Sequence, residues 1–132
     1  MKHSTSLFGQ MLSLIPRQKF ARMVRTHGSD YDSKGFDSWT QMVSMLFCQL
    51  AQAKSLREIC KGLRACVGKL YHLGVSTAPK RSTLSYANAN RPWQLYRDLF
   101  YQLLGTVQQA SPGKKRKFRF KNKLLSLDAT IL

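Results

Sequence analysis

Residues 55–91 read SLREICKGLRACVGKLYHLGVSTAPKRSTLSYANANR, and this stretch decides the fold. Ser55-Leu56-Arg57-Glu58 has the form of a capping box: the serine oxygen accepts from the fourth residue's amide while the glutamate reaches back. The helix it opens carries Leu56, Ile59, Cys60, Leu63 and Val67 on one stripe, with Arg57, Lys61 and Arg64 on the other face. Gly62 and Gly68 weaken that helix, and Gly74 is expected past its end. After a loop over residues 76–80, which contains Pro79, Ser82 is placed to cap a short second helix that Arg91-Pro92 ends. Two helices, over 55–66 and 82–90, thus form a helix-turn-helix-like unit whose loop is longer than the usual three or four residues.

Helical spacing continues on both sides. Leu7, Met11, Leu14 and Ile15 recur with a helical period, and Pro16 can open a second helix through Phe20, Val24 and His27. Residues 28–36 (GSDYDSKGF) read as a loop, and Met42, Met45, Leu46, Phe47 and Leu50 after Ser38 predict a well-buried helix. A strong last helix carries Trp93, Tyr96, Leu99, Phe100, Leu103, Leu104 and Val107. Ser111-Pro112-Gly113 then breaks the pattern and the period changes to two, with Lys117, Arg119 and Lys121 alternating with Phe118 and Phe120. The apolar run from Leu124 to Leu132 follows, so two strands meeting near Asn122-Lys123 are expected. The predicted architecture is mainly α: a helical domain over 1–110, then a basic linker and first strands over 111–132.

The 132 residues favour one domain, or one and a part, long enough to bury a core. Apolar content of 43% argues against wholesale disorder. The unusual quantity is charge: 22 Lys and Arg against 6 Asp and Glu, formally +16, which favours a polyanionic partner. The excess grows along the chain. Residues 1–53 hold six basic and three acidic groups, 54–110 nine and two, and 111–132 seven and one. The longest uncharged run, Ser38 to Ala53, is too short and, with Gln41, Gln49 and Gln52, too polar to cross a bilayer, so no membrane partner is expected. Lys2 followed by residues 7–15 resembles a signal peptide only superficially, since no small-x-small cleavage site follows; a cytoplasmic protein is expected. Cys48, Cys60 and Cys66 lack disulfide or zinc spacing, and Cys60 reads as a buried thiol. His3, His27 and His72 have no ligand spacing.

Three constellations carry possible chemistry. In the second helix of the unit, Ser82, Thr83, Ser85, Tyr86, Asn88 and Asn90 are short or planar polar groups suited to base edges, while Arg81 and Arg91 flank them to reach phosphates. Leu84 and Ala87 would face the core; a capped surface helix in an ordinary bundle has the same pattern. The second is the run from Lys114, Lys115, Arg116 and Lys117 to Lys123, seven basic residues in ten positions. It supplies sequence-independent affinity for phosphates, or else is a solvated linker. The third is Asp128, a carboxylate inside an apolar strand pattern. Such a group is expensive unless paired or metal-bound, and a strand-end aspartate is the plainer reading.

Ser55-Leu56-Arg57-Glu58-Ile59, Leu70-Tyr71-His72-Leu73-Gly74-Val75 and the segment RSTLSYANANR from Arg81 resemble the N-terminal domain of bacterial insertion-sequence transposases, the DDE-class family named after insertion sequence 4. Residues 118–123 and 125–130 resemble the entry into that family's ribonuclease-H-like catalytic domain. The resemblance implies DNA binding at element ends during transposition, and makes Asp128 the first of three acids holding Mg2+ or Mn2+ in full-length relatives. The other two acids would lie beyond residue 132, so it implies an N-terminal piece, without strand transfer or tight metal binding of its own. The partners implied are duplex DNA, a second copy or a full-length transposase, in a bacterial, nucleoid-associated setting. A stand-alone repressor of transposition and an unrelated basic RNA-binding protein are the competing readings.

Overall fold

Asp37 starts the helix around which the others assemble. Its carboxylate Oδ1 accepts from the Thr40 amide at 2.8 Å, satisfying one of the unpaired donors of a helix start. The structure, a computed structural model, describes residues 6–66 and 68–110. Its elements are α1 (Leu7–Ser13), α2 (Arg17–His27), α3 (Ser38–Leu50), α4 (Leu56–Ala65), a 3₁₀ turn (Leu70–Leu73), α5 (Arg81–Asn90) and α6 (Gln94–Ala110). The helical expectation holds, and there is no strand among the described residues. The expected strands, the basic run over 114–123 and Asp128 lie outside them.

Every residue of α3 from Ser38 to Ser44 is buried, so the first half of this helix is the centre of the core. Of the expected apolar positions only Met42 is fully buried; Met45, Leu46 and Phe47 are half-buried, and Leu50 is exposed because the last turns run past the packed layer. Trp39 anchors one side. Its ring packs edge-on against Phe20 with centroids 5.4 Å apart, the Arg17 guanidinium lies 3.7 Å over its face, and its indole N–H donates to the Leu73 carbonyl at 2.9 Å. Polar groups at the buried helix start are satisfied locally: Ser38 donates through both its amide and Oγ to Asp30 Oδ1 at 2.7 Å, and its Oγ meets Ser29 Oγ at 2.6 Å. α2 packs along α6, where the His27 imidazole donates to Asp98 at 2.8 Å. Hydrogen bonds from Arg97 and His27 hold the Asp98 carboxyl below the usual carboxylate range.

Two boundaries differ from the sequence reading. α4 ends at Ala65, so the stripe stops at Leu63; Val67 lies outside the described residues. The chain then makes a 3₁₀ turn whose Leu70 and Leu73, with Val75 beyond, plug the core, and Gly74 closes it at φ +72°. The second boundary concerns Ser82, which is not an N-cap. The extended Pro79-Lys80 segment feeds directly into the helix, the Lys80 carbonyl accepts from the Leu84 amide at 3.0 Å, and Ser82 falls in the first turn, exposed.

Candidate nucleic-acid interface

The capping box forms. Ser55 Oγ accepts from the Glu58 amide at 3.2 Å, while Glu58 Oε2 accepts from the Lys54 amide at 2.8 Å, one residue ahead of the cap itself. This fixes where α4 begins and therefore where its exposed Arg57 and Lys61 point. The buried stripe Ile59, Cys60 and Leu63 sets the opposite face. α5 packs against α4, and its Leu84 and Ala87 are both buried as expected. Burial pushes the Cys60 thiol up, while Arg64 and Arg81 pull it down.

Between the two helices lies an open cleft of about 1080 Å³. Its cations are Arg57 and Lys61 from α4 and Arg81 from α5; its hydroxyls include Ser82, Ser85 and Tyr86, with Ser55 at the start of α4. Glu58 is the single acid in the lining, and its carboxylate is turned to the Lys54 amide. No side chain caps α5, so its first-turn amides open beside Arg81. Clustered cations, hydroxyl donors and the positive end of a helix together favour phosphate oxygens.

Tyr86 stands on the ridge of α5, 72% exposed, and borders a second cleft of about 600 Å³ on the other side. Thr83 and Asn90 line that cleft from α5, while Tyr31, Ser33 and Lys34 line it from the loop after α2. Asn90, exposed, spends its Nδ2 on the Tyr86 carbonyl at 2.9 Å.

The expected contact set therefore divides. Arg81, Ser82, Ser85 and Tyr86 share the basic cleft, and Thr83, Asn90 and Arg91 border the second. Asn88 and Arg91 are engaged with the rest of the bundle. Asn88 accepts from Gln41 Nε2 at 2.8 Å; the Arg91 guanidinium donates to Gln41 Oε1 at 3.1 Å and to the Phe36 carbonyl, and lies 3.7 Å from Asp30. Both residues tie α5 to α3, Asn88 while remaining exposed. Arg57 and Lys61 are the members that the α5 pattern alone misses. Their spacing on the polar face of α4 is visible in the sequence, but only the packing of α4 on α5 sets them beside Arg81.

The family model for a domain of unknown function (DUF4372), commonly found in transposase-like proteins, matches residues 3–76. The chain belongs to the DUF4372 family. No curated protein and no solved structure matches it. The DUF4372 match runs from α1 through α4 and the 3₁₀ turn and stops before α5, so the cleft joins a wall inside it to a wall outside it. Among the described residues, no helix is long and apolar enough to cross a membrane, and no three His, Cys, Asp or Glu side chains gather as a metal site.

Proposed function

We propose that this chain binds duplex DNA, with the α5 ridge entering the major groove and phosphates of one flanking strand held in the α4–α5 cleft. The observation that carries this reading is the convergence of Arg57, Lys61 and Arg81 with three hydroxyls beside the uncapped start of α5. Ser82 and Ser85 donate to phosphate beside the cations, Tyr86 on the ridge faces base edges, and Thr83 and Asn90 lie toward the strand beyond. The run Lys114, Lys115, Arg116 and Lys117 adds sequence-independent contacts. The resemblance to insertion-sequence transposases and the DUF4372 membership support a role at the ends of a mobile element, in DNA transposition. Asp128, the acid that resemblance assigns to a Mg2+ or Mn2+ site, lies outside the described residues, and DNA binding does not draw on it.

The test is fluorescence anisotropy of the full chain with one sequence presented as duplex DNA, single-stranded DNA and double-stranded RNA. The salt range runs from about 50 to about 200 mM. Duplex DNA should bind tightest, with affinity falling steeply as salt rises. Tighter binding to RNA favours the competing RNA-binding reading, and salt-insensitive binding to all three overturns the electrostatic one.

A further inference from the structure

The side of the molecule formed by α3 and α6 has a different character from the basic cleft. Between these helices runs an apolar groove of about 460 Å³, lined by Met42, Met45, Leu46, Tyr96, Phe100 and Leu103. Trp93, Phe100 and Val107 beside it are 64%, 60% and 62% exposed. They recur every seven residues, with Tyr96 and Leu103 between them and Ala110 after Val107, which is the spacing of a coiled-coil seam. An apolar strip of this kind on a soluble surface marks a contact site.

Charge selects the occupant. In a chain with 22 Lys and Arg, neither residues 38–53, which contain α3, nor residues 99–110, the last three turns of α6, hold a charged residue. Arg91 lines the groove, but Gln41 and the Phe36 carbonyl hold its guanidinium. A polyanion has nothing to grip on this face. A second copy, repelled by the cationic surfaces elsewhere, meets here only Arg97, which lies over the Trp93 ring and is paired to Asp98 at 2.9 Å. A heptad seam is also self-complementary about a two-fold axis, as a closed dimer requires. We propose that this face is a homodimer interface, with the Trp93–Phe100–Val107 seam of each copy lying along the α3–α6 groove of the other. The dimer carries two α5 ridges, one per copy. It does not depend on what those ridges bind.

The test uses the full chain without nucleic acid, in about 0.3 M salt to screen repulsion. Sedimentation equilibrium and tryptophan emission with acrylamide quenching are followed from about 1 to about 100 μM, the range of a modest interface. Average mass should rise from 15.1 kDa toward twice that value. Trp93 should become shielded over the same range, against the constant background of buried Trp39. Phe100→Glu and, separately, Val107→Glu should each raise the dissociation constant at least about 10-fold. Both side chains are exposed in the monomer, so circular dichroism should match the parent. A chain monomeric at every concentration overturns the proposal. Trp93 open to quencher then means an uncovered face, and Trp93 shielded at every dilution means that residues of the same chain cover it. A dimer indifferent to both substitutions forms elsewhere and overturns it equally.

Discussion

Gln41 donates through Nε2 to Asn88 Oδ1 at 2.8 Å and accepts through Oε1 from Arg91 at 3.1 Å, so one buried amide holds both of the residues that fasten α5 to α3. Asn88 also places its Nδ2 3.3 Å from Met45 Sδ. Both ends of this exposed side chain are engaged in contacts that hold α5 against α3.

Asn88→Ala should therefore act on stability before it acts on binding. Removing the acceptor leaves a buried Gln41 donor unpaired, at a cost of about 1–3 kcal/mol. Urea denaturation measures it. A double-mutant cycle with Gln41→Ala should show coupling of about 1 kcal/mol, because both lose the same bond. If Asn88→Ala is as stable as the parent yet loses affinity for one preferred duplex only, the residue reads bases after all.

Arg57, Lys61 and Arg81 should behave in the opposite way. Each is exposed, so replacement by alanine should change stability by no more than about 0.5 kcal/mol. Each should lower the magnitude of the slope of log affinity against log salt by up to about 0.9, at all sequences alike. An unchanged slope in all three variants would place the phosphates elsewhere.

Tyr96 gives a pH signature. Its hydroxyl is buried without a partner, and burial pushes it up to about 12 from 10.0, with Arg91 opposing and Asp30 adding to the rise. The folded state thus keeps a proton that the unfolded chain releases first. The associated stability is complete below pH about 10 and is lost as pH climbs to about 12, an order of 2–3 kcal/mol for a shift of this size. Tyr96→Phe should lack that loss when melts of the two proteins are compared across the window. At neutral pH it should match or exceed the parent, since an unsatisfied hydroxyl is removed.

Gly62 looks like a defect in α4 until its neighbour is seen. A Cβ there would stand 2.6 Å from the Phe47 ring, which packs against Phe8 with centroids 6.2 Å apart. Alanine gains up to about 1 kcal/mol of helix propensity but overpacks the α3–α4 contact, which typically costs about 1–3 kcal/mol. The expected net is a lower melting temperature for Gly62→Ala, and a higher one for Gly62→Ala in a Phe47→Leu background than for Phe47→Leu alone. A stabilised single variant would show that the ring swings aside freely.

What could be read from the sequence follows the range of each interaction. The Ser55 capping box and the Pro92 stop act within a few residues, whereas the buried half of α3, with Ser38, Thr40, Gln41 and Ser44, does not show in its composition. Asn88 and Arg91 were legible only as polar groups on a helix, because the atom that claims them belongs to Gln41, 47 and 50 residues away. Ser82 was misplaced as the cap, which lies two residues earlier at Lys80, because serine favours both a cap and an exposed first turn. The α6 pattern marks an apolar stripe correctly, but periodicity cannot say whether its cover comes from the same chain.

Trp39 bonds to the Leu73 carbonyl in the middle of the connection between α4 and α5, and Leu70, Leu73 and Val75 are buried around it. That connection is therefore structural mortar, not a hinge. The two helices cannot be excised as a portable module, since a peptide covering 55–91 would bring its apolar plug without the indole that seats it. Grafting this unit onto another scaffold requires α2 and α3 to travel with it, and insertions tolerated in an ordinary helix-turn-helix linker would here open the centre of the protein.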